Sequence, residues 1–262
     1  MKDSRSHNLF SETEKIGESY NLDTNKIIAD RYHYAAELSR GLDALEVGCG
    51  SGIGLEYLSN SAKSLSALEY SKENIRLLKK QDIKYASIYE GDAQNMPFED
   101  QKFELIIALA MIYYLSINKF LEECSRVLKD RGILFFCTSN KDVPGFCAAP
   151  YTTKYHSIPE LNNILKNYGY DVEFFGTFPK SRNFLFVSTI RAWIKDILKN
   201  IFFLTNKGEL YWERLRKKSL GKTYPLPKKY TMENISYTER VKLNPNIKNK
   251  VYRVIYVVAR KI

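Results

Sequence analysis

No run of about 18 or more apolar residues occurs in this sequence, so no transmembrane helix is expected. The opening MKDSRSHNLFSETEK is polar and offers no apolar signal region, so a cytoplasmic protein is expected. No two cysteines stand in C-x-x-C spacing. Cys49, Cys124, Cys137 and Cys147 are scattered, which reads as thiols in a reducing compartment rather than a zinc or redox motif. No His-Glu or paired-carboxylate signature appears, so no metal is expected. Histidine is scarce, at three residues, so candidates for a general base are few. Internal repeats and low-complexity tracts are also missing.

What is present is an ordinary globular composition. The 262 residues are 44% hydrophobic, enough to bury a sizeable core. The net charge of +10 is compatible with an anionic partner such as RNA, acidic lipid or a phosphorylated substrate. It is equally the mark of a Lys-rich chain, because the surplus does not form one tight basic run.

Residues 23–40 read as an amphipathic helix, with Ile27, Ile28, Tyr32, Ala35, Ala36 and Leu38 on one side and Gly41 as its stop. Short apolar runs then alternate with helical patterns. LDALEV, SLSALEY, KYASIYEG, FELIIAL and ILFFCTSN read as five strands. IGLEYLSNS, SKENIRLLKKQ and NKFLEECSRVLKD read as helices, the last stopping at Arg131-Gly132. The fourth strand turns helical near AMIYYL. Such alternation predicts a parallel sheet with helices on both faces. A loop over 141–155, the helix SIPELNNILKNYGY and the strand DVEFFGTF follow. Residues 180–245 form an insertion without βα rhythm, and NKVYRVIYVVARKI reads as a closing strand.

The stretch ALEVGCGSG (44–52) sets Glu46 before three alternating glycines, Gly48, Gly50 and Gly52. A strand, a glycine turn and a helix make a nucleotide-binding layout. A phosphate-binding G-x-x-x-x-G-K-[ST] is missing its lysine. A dinucleotide G-x-G-x-x-G fails as well, since Ile53 or Leu55 stands where the third glycine belongs. S-adenosylmethionine is the remaining candidate. Its amino-acid tail carries an ammonium that seeks an anion, which Glu46 supplies. The glycines let the backbone come close. Glu69 ends the second strand, where an acid accepts from ribose hydroxyls. Asp92 follows the third strand, where it accepts from the adenine amine beside the Ala93 N–H.

These residues resemble the class I S-adenosylmethionine-dependent methyltransferases. The match rests on EVGCGSG (46–52), Glu69, Gly91-Asp92-Ala93, Met96-Pro97-Phe98, FELII (103–107), and RVLK (126–129) with Gly132. It covers about residues 40–140. The resemblance implies an α/β fold with a seven-stranded, mostly parallel sheet of order 3-2-1-4-5-7-6, the last strand antiparallel. It implies one domain, with residues 1–40 as a helical lid, 41–140 as the cofactor core and 180–245 as an insert shaping the acceptor site. It implies S-adenosyl-L-methionine as cofactor, held by Glu46, Gly48, Cys49, Gly50, Gly52, Glu69, Tyr70, Asp92, Ala93 and Leu109. The acid and histidine that many members carry after strand four are replaced here by Ala110-Met111-Ile112-Tyr113-Tyr114, which suggests an aromatic wall.

Positioning carries much of methyl transfer, and an oxygen acceptor also needs a base. His156, after the fifth strand, is the base candidate; His33 reads as a packed or surface helix residue and His7 as part of a polar tail. Tyr20, Arg31, Tyr113, Tyr151 and Tyr155 are the candidate acceptor-lining residues. The segment 184–204 reads either as a lid or as an interfacial helix touching a membrane surface, with Trp193 as anchor. The expected acceptor is a hydroxyl or amine on a small or medium-sized molecule of glycan or secondary-metabolite type. A lipid, a quinone or an RNA are the enzyme alternatives. RNA is disfavoured because no N-P-P-Y-type segment follows strand four. A non-catalytic S-adenosylmethionine-binding partner subunit is the alternative from another class.

Overall fold

The computed structural model describes residues 19–81, 83–149, 151–180, 223–231, 235 and 237–262. The elements in chain order are β1 (Ser19–Asn21), α1 (Leu22–Leu38), β2 (Asp43–Val47), α2 (Leu55–Ser59), β3 (Ser64–Glu69), α3 (Lys72–Lys80), β4 (Ser87–Glu90), β5 (Phe103–Leu109), α4 (Ile117–Val127), β6 (Leu128–Ser139), α5 (Ile158–Asn167), β7 (Tyr170–Pro179), β8 (Thr223–Pro225), β9 (Val241–Leu243) and β10 (Tyr252–Lys261). A single 3-10 turn, Ile112–Tyr114, lies between β5 and α4.

Eight strands form one sheet in the order β4-β3-β2-β5-β6-β10-β7-β9. Strands β2 to β6 pair in parallel, and β10 runs antiparallel between β6 and β7. The expected seven-strand order is present, with two corrections. The sheet has an eighth strand: β9, from the segment read as an insertion, pairs antiparallel with β7 at the edge. A separate ribbon joins β8, also from that segment, to β1.

The strands alternate strictly, as a sheet buried on both faces requires. Leu45, Val47, Ile106, Ala108, Leu134, Phe136, Ile255 and Val257 face one layer, with Phe120, Leu121 and Cys124 of α4 and Ile158, Leu161 and Leu165 of α5. Ala44, Leu105, Ile107, Phe135, Cys137, Val254, Tyr256 and Val258 face the other. There they meet Ile28, Ala29, Tyr32, Ala35 and Ala36 of α1 and Ile75 and Leu78 of α3. Small alanines on α1 let it lie close to the sheet.

The helix expected to stop at Arg131-Gly132 ends at Val127. Leu128 already pairs with Phe103, and an irregularity in register precedes the Leu105–Ile133 pairing. Tertiary pairing thus ends the helix before its glycine. Capping follows the sequence more closely. Ser71 accepts from the Asn74 N–H at the start of α3, and Ser157 and Glu160 form a reciprocal capping box on α5.

Among the described residues no helix is long and apolar enough to cross a membrane. Residues 184–204, read as lid or interfacial helix, lie outside the described residues, as does His7.

Candidate active site

The glycine loop leaves β2 at the carboxyl end of the sheet. Gly48, Gly50 and Gly52 have φ of +72°, +57° and +79°, a region open mainly to glycine. A Cβ at Gly52 would come within 2.5 Å of Leu78, so that glycine seats the loop on α3. A Cβ at Gly50 would meet nothing within 4 Å, so the loop presents a bare backbone face there.

Two buried carboxylates flank this loop. Glu46 lies on the α1 face of β2, 1% exposed, and its Oε1 accepts from the Tyr32 hydroxyl at 3.1 Å. The Tyr32 ring fits only because residue 54 is glycine, where a Cβ would stand 1.9 Å away. Glu69 ends β3 and is 6% exposed. Its Oε2 accepts from the Gly50 N–H and its Oε1 from the Ser71 N–H, both at 2.7 Å. Burial raises the Glu69 carboxyl from its ordinary range, and the hydrogen bonds from Ser71, Gly50 and Tyr70 oppose that rise. Between the two acids sits Cys49, whose thiol is pushed well up by burial, then by Glu46 and Glu69. It is an inert lining residue, not a nucleophile.

The third acid, Asp92, is half-buried after β4. Its Oδ1 accepts from the Gln94 N–H at 2.9 Å, and its Oδ2 takes no hydrogen bond among the described residues. Ala93 beside it is buried, Tyr70 is exposed and Leu109 half-buried. The sequence reading missed what holds this loop. Arg126 of α4 donates to the carbonyls of Met96 and Phe98 and to the carboxylates of Glu123 and Asp100. Glu123 accepts the Met96 N–H in turn. The signal was available in Arg126 itself, noted only as part of a motif.

Tyr113 and Tyr114, from the segment read as an aromatic wall, lie in an aromatic cluster. Tyr113 stacks on Tyr155 at 4.5 Å, Tyr114 packs on Tyr113 at 4.8 Å, and Phe146 meets Tyr155 edge-on at 4.8 Å. Met111 covers the loop, 3.3 Å from where a Gly48 Cβ would stand. His156 follows Tyr155 and is half-buried, and its Nδ1 has no hydrogen-bond partner among the described residues. Burial, and then Lys154, lower its imidazole below the ordinary value, so it is neutral at neutral pH. Arg31 is not with this cluster but lines a separate cleft with Phe146. Tyr20 sits on β1, paired with Tyr224. Tyr151 is 68% exposed and makes no ring contact among the described residues. His33 packs against Tyr57 and Tyr237, as a structural residue does.

No cluster of three or more metal-ligating side chains occurs among the described residues. The donor set suits a cation-bearing nucleoside. Two buried carboxylates repel a phosphate and attract an ammonium or sulfonium, and the bare face at Gly50 gives it room.

Residues 45–136 match a family model described as a methyltransferase domain. A probable S-adenosylmethionine-dependent methyltransferase of Mycolicibacterium smegmatis is 26% identical over 150 residues, covering 54% of this chain and 57% of that protein. A phthiotriol/phenolphthiotriol dimycocerosates methyltransferase of Mycobacterium ulcerans is 33% identical over 119 residues, 43% of this chain and 44% of that protein. The chain thus spans about half the length of the curated relatives it matches. Among solved structures, a methyltransferase of Thermotoga maritima, described as a possible histamine N-methyltransferase, aligns over 92% of both chains with a TM-score of 0.58 at 14% identity. That likeness shows the fold.

Proposed function

We propose, on the premise that this chain is through residues 45–136 a member of the class I S-adenosylmethionine-dependent methyltransferase superfamily, that it methylates a hydroxyl or amine of a small or medium-sized acceptor. The observation that carries this is the pair of buried carboxylates, Glu46 and Glu69, around a glycine loop with an open face at Gly50. When bound, S-adenosylmethionine supplies an activated methyl group on a sulfonium.

The residues of the chain divide the remaining work. Glu46 offers negative charge to the amino-acid tail, and Tyr32 holds its carboxylate in place. Glu69, buried at the end of β3 beside the glycine loop, is placed to accept from ribose hydroxyls. Asp92 has an oxygen available for the adenine amine. Gly48, Cys49, Gly52, Tyr70, Ala93 and Leu109 complete the walls of this site. The stack of Tyr113, Tyr155 and Phe146 shapes the acceptor side and excludes water. His156, kept neutral, takes the proton of a hydroxyl acceptor. A cytoplasmic location, read from the scattered cysteines, belongs to the same proposal.

The test is a calorimetric titration with S-adenosylmethionine. Asp92→Ala and Glu69→Ala are expected to weaken binding about tenfold or more, the loss of one charge-assisted hydrogen bond. Equal binding by both variants would overturn the cofactor assignment. Transfer of labelled methyl is then measured on hydroxyl, amine, lipid and RNA acceptors. The Mycobacterium ulcerans relative favours a lipid as the second reading. Binding without transfer to any class would leave a non-catalytic module instead.

A further inference from the structure

Residues 223–231 come from the segment read as an insert shaping the acceptor site, yet they reach the glycine loop. The Tyr230 N–H donates to the carbonyl of Ile53 at 3.1 Å, one residue past Gly52. Lys229 donates to both carboxylate oxygens of Glu56 on α2, at 2.8 and 2.9 Å. At the other end β8 pairs with β1, the strand that leads into α1. The segment therefore runs from the start of α1 to the loop that joins β2 to α2.

Two buried side chains seat it. Leu226 and Tyr230 belong to the core layer that holds α1 against the sheet. The Tyr230 ring meets the Tyr32 ring at 5.6 Å between centroids, tilted by 40°. Tyr32 in turn donates to Glu46 Oε1. A chain of contacts thus leads from Tyr230 through Tyr32 to the carboxylate assigned to the amino-acid tail of the cofactor.

The geometry of Tyr32 explains why a support matters. Its hydroxyl stands at the end of a long lever, so a small turn of the ring moves the oxygen out of hydrogen-bond range. Gly54 admits the ring but has no side chain to hold it. A neighbouring aromatic ring at this separation does hold it. The Lys229–Glu56 pair is a weaker tether, because the Lys229 side chain is exposed and such surface pairs contribute little. The buried ring of Tyr230 carries the contact.

We propose that Tyr230 is a positioning residue for the cofactor: its ring holds Tyr32, and through it Glu46, in the orientation that receives the ammonium of the amino-acid tail. Residues 223–231 then serve the cofactor end of the site rather than the acceptor end. This rests on the methyltransferase reading.

The test compares two ligands on the full chain by calorimetry. S-adenosylhomocysteine carries the amino-acid tail. 5′-Methylthioadenosine has the same nucleoside and sulfur without it. The ratio of the two dissociation constants therefore reports recognition of the tail alone. Tyr230→Leu keeps apolar bulk and removes the ring. It is expected to weaken S-adenosylhomocysteine about tenfold, the loss of one charge-assisted hydrogen bond, and to leave 5′-methylthioadenosine unchanged. Tyr230→Met, flexible enough to fill the same space, gives the same reading should the leucine variant not fold. Tyr230→Phe should keep the ratio of the unaltered chain. Tyr32→Phe should lower it to a similar degree as Tyr230→Leu, and combining the two should lower it no further. Equal weakening of both ligands by Tyr230→Leu overturns the proposal and leaves Tyr230 a packing residue. A ratio as low in Tyr230→Phe as in Tyr230→Leu overturns it too, since the ring would then not be the group that acts. If S-adenosylhomocysteine does not bind the unaltered chain, the methyltransferase reading falls and this proposal with it. If it binds and the ratio ignores Tyr230, only the proposal falls.

Discussion

A single methyl group added at position 54 would press into the Tyr32 ring. Gly54→Ala is therefore expected to cost about 1–3 kcal/mol in denaturant unfolding, the range for overpacking a core. It should also loosen the Tyr32–Glu46 hydrogen bond and weaken S-adenosylmethionine binding. Glu160 allows a pH prediction. Burial works to raise its carboxyl, but Lys141 and the N–H and hydroxyl of Ser157 together outweigh it and hold it at about 2. Its contribution is full above the unfolded value near 4.5 and is lost as pH falls from there through about 2. With its side chain 41% exposed, the effect is screened, and Glu160→Ala should cost about 1 kcal/mol at neutral pH and almost nothing near pH 2. For His156 as base, methyl transfer should be flat above neutrality and fall only below the ordinary imidazole value of 6.5. A fall centred above 6.5 would remove it from that role. At this scale the acids were legible because each ends an apolar run. Their partners were not, since Tyr32 and Gly50 reach Glu46 and Glu69 only through the fold.

Helix α4 and the loop carrying Asp92 behave as one element, because Arg126 ties both together with five hydrogen bonds. Arg126→Ala leaves Glu123 and two carbonyls without their donor. The expected loss is about 2 kcal/mol, read from the thermal midpoint, together with weaker cofactor binding as the Asp92 loop loosens. Arg126→Lys should rescue only part of it, since an ammonium lacks the planar fork. Elements with a clear period were readable from the chain: β2, β3, β5 and β6 by apolar runs, and α3 by the serine that opens it. β9, of three residues, has no period to read. The end of α4 was misread because glycine marks a stop only when no strand partner claims the residues before it, and Phe103 claims Leu128.

At the scale of the molecule, β10 is the link that fastens β7 and β9 to the parallel strands. It pairs with β6 along one side and β7 along the other. A chain cut after Lys250 would expose Phe135 and Phe174 and is expected to lose its cooperative unfolding transition, as monitored by circular dichroism. The cleft lined by Arg31, Lys180 and Arg253 could not be read from the sequence alone. Lys180 and Arg253 are far apart in the chain and meet only through the pairing that sets Tyr252 opposite Pro179. Arg31 was picked out as a candidate acceptor residue, but nothing local marked its companions. Helix α1 carries Tyr32, bonded to Glu46 beside the glycine loop, and next to it Arg31, in the wall of the cleft. Two adjacent residues on one rigid rod thus touch both recesses.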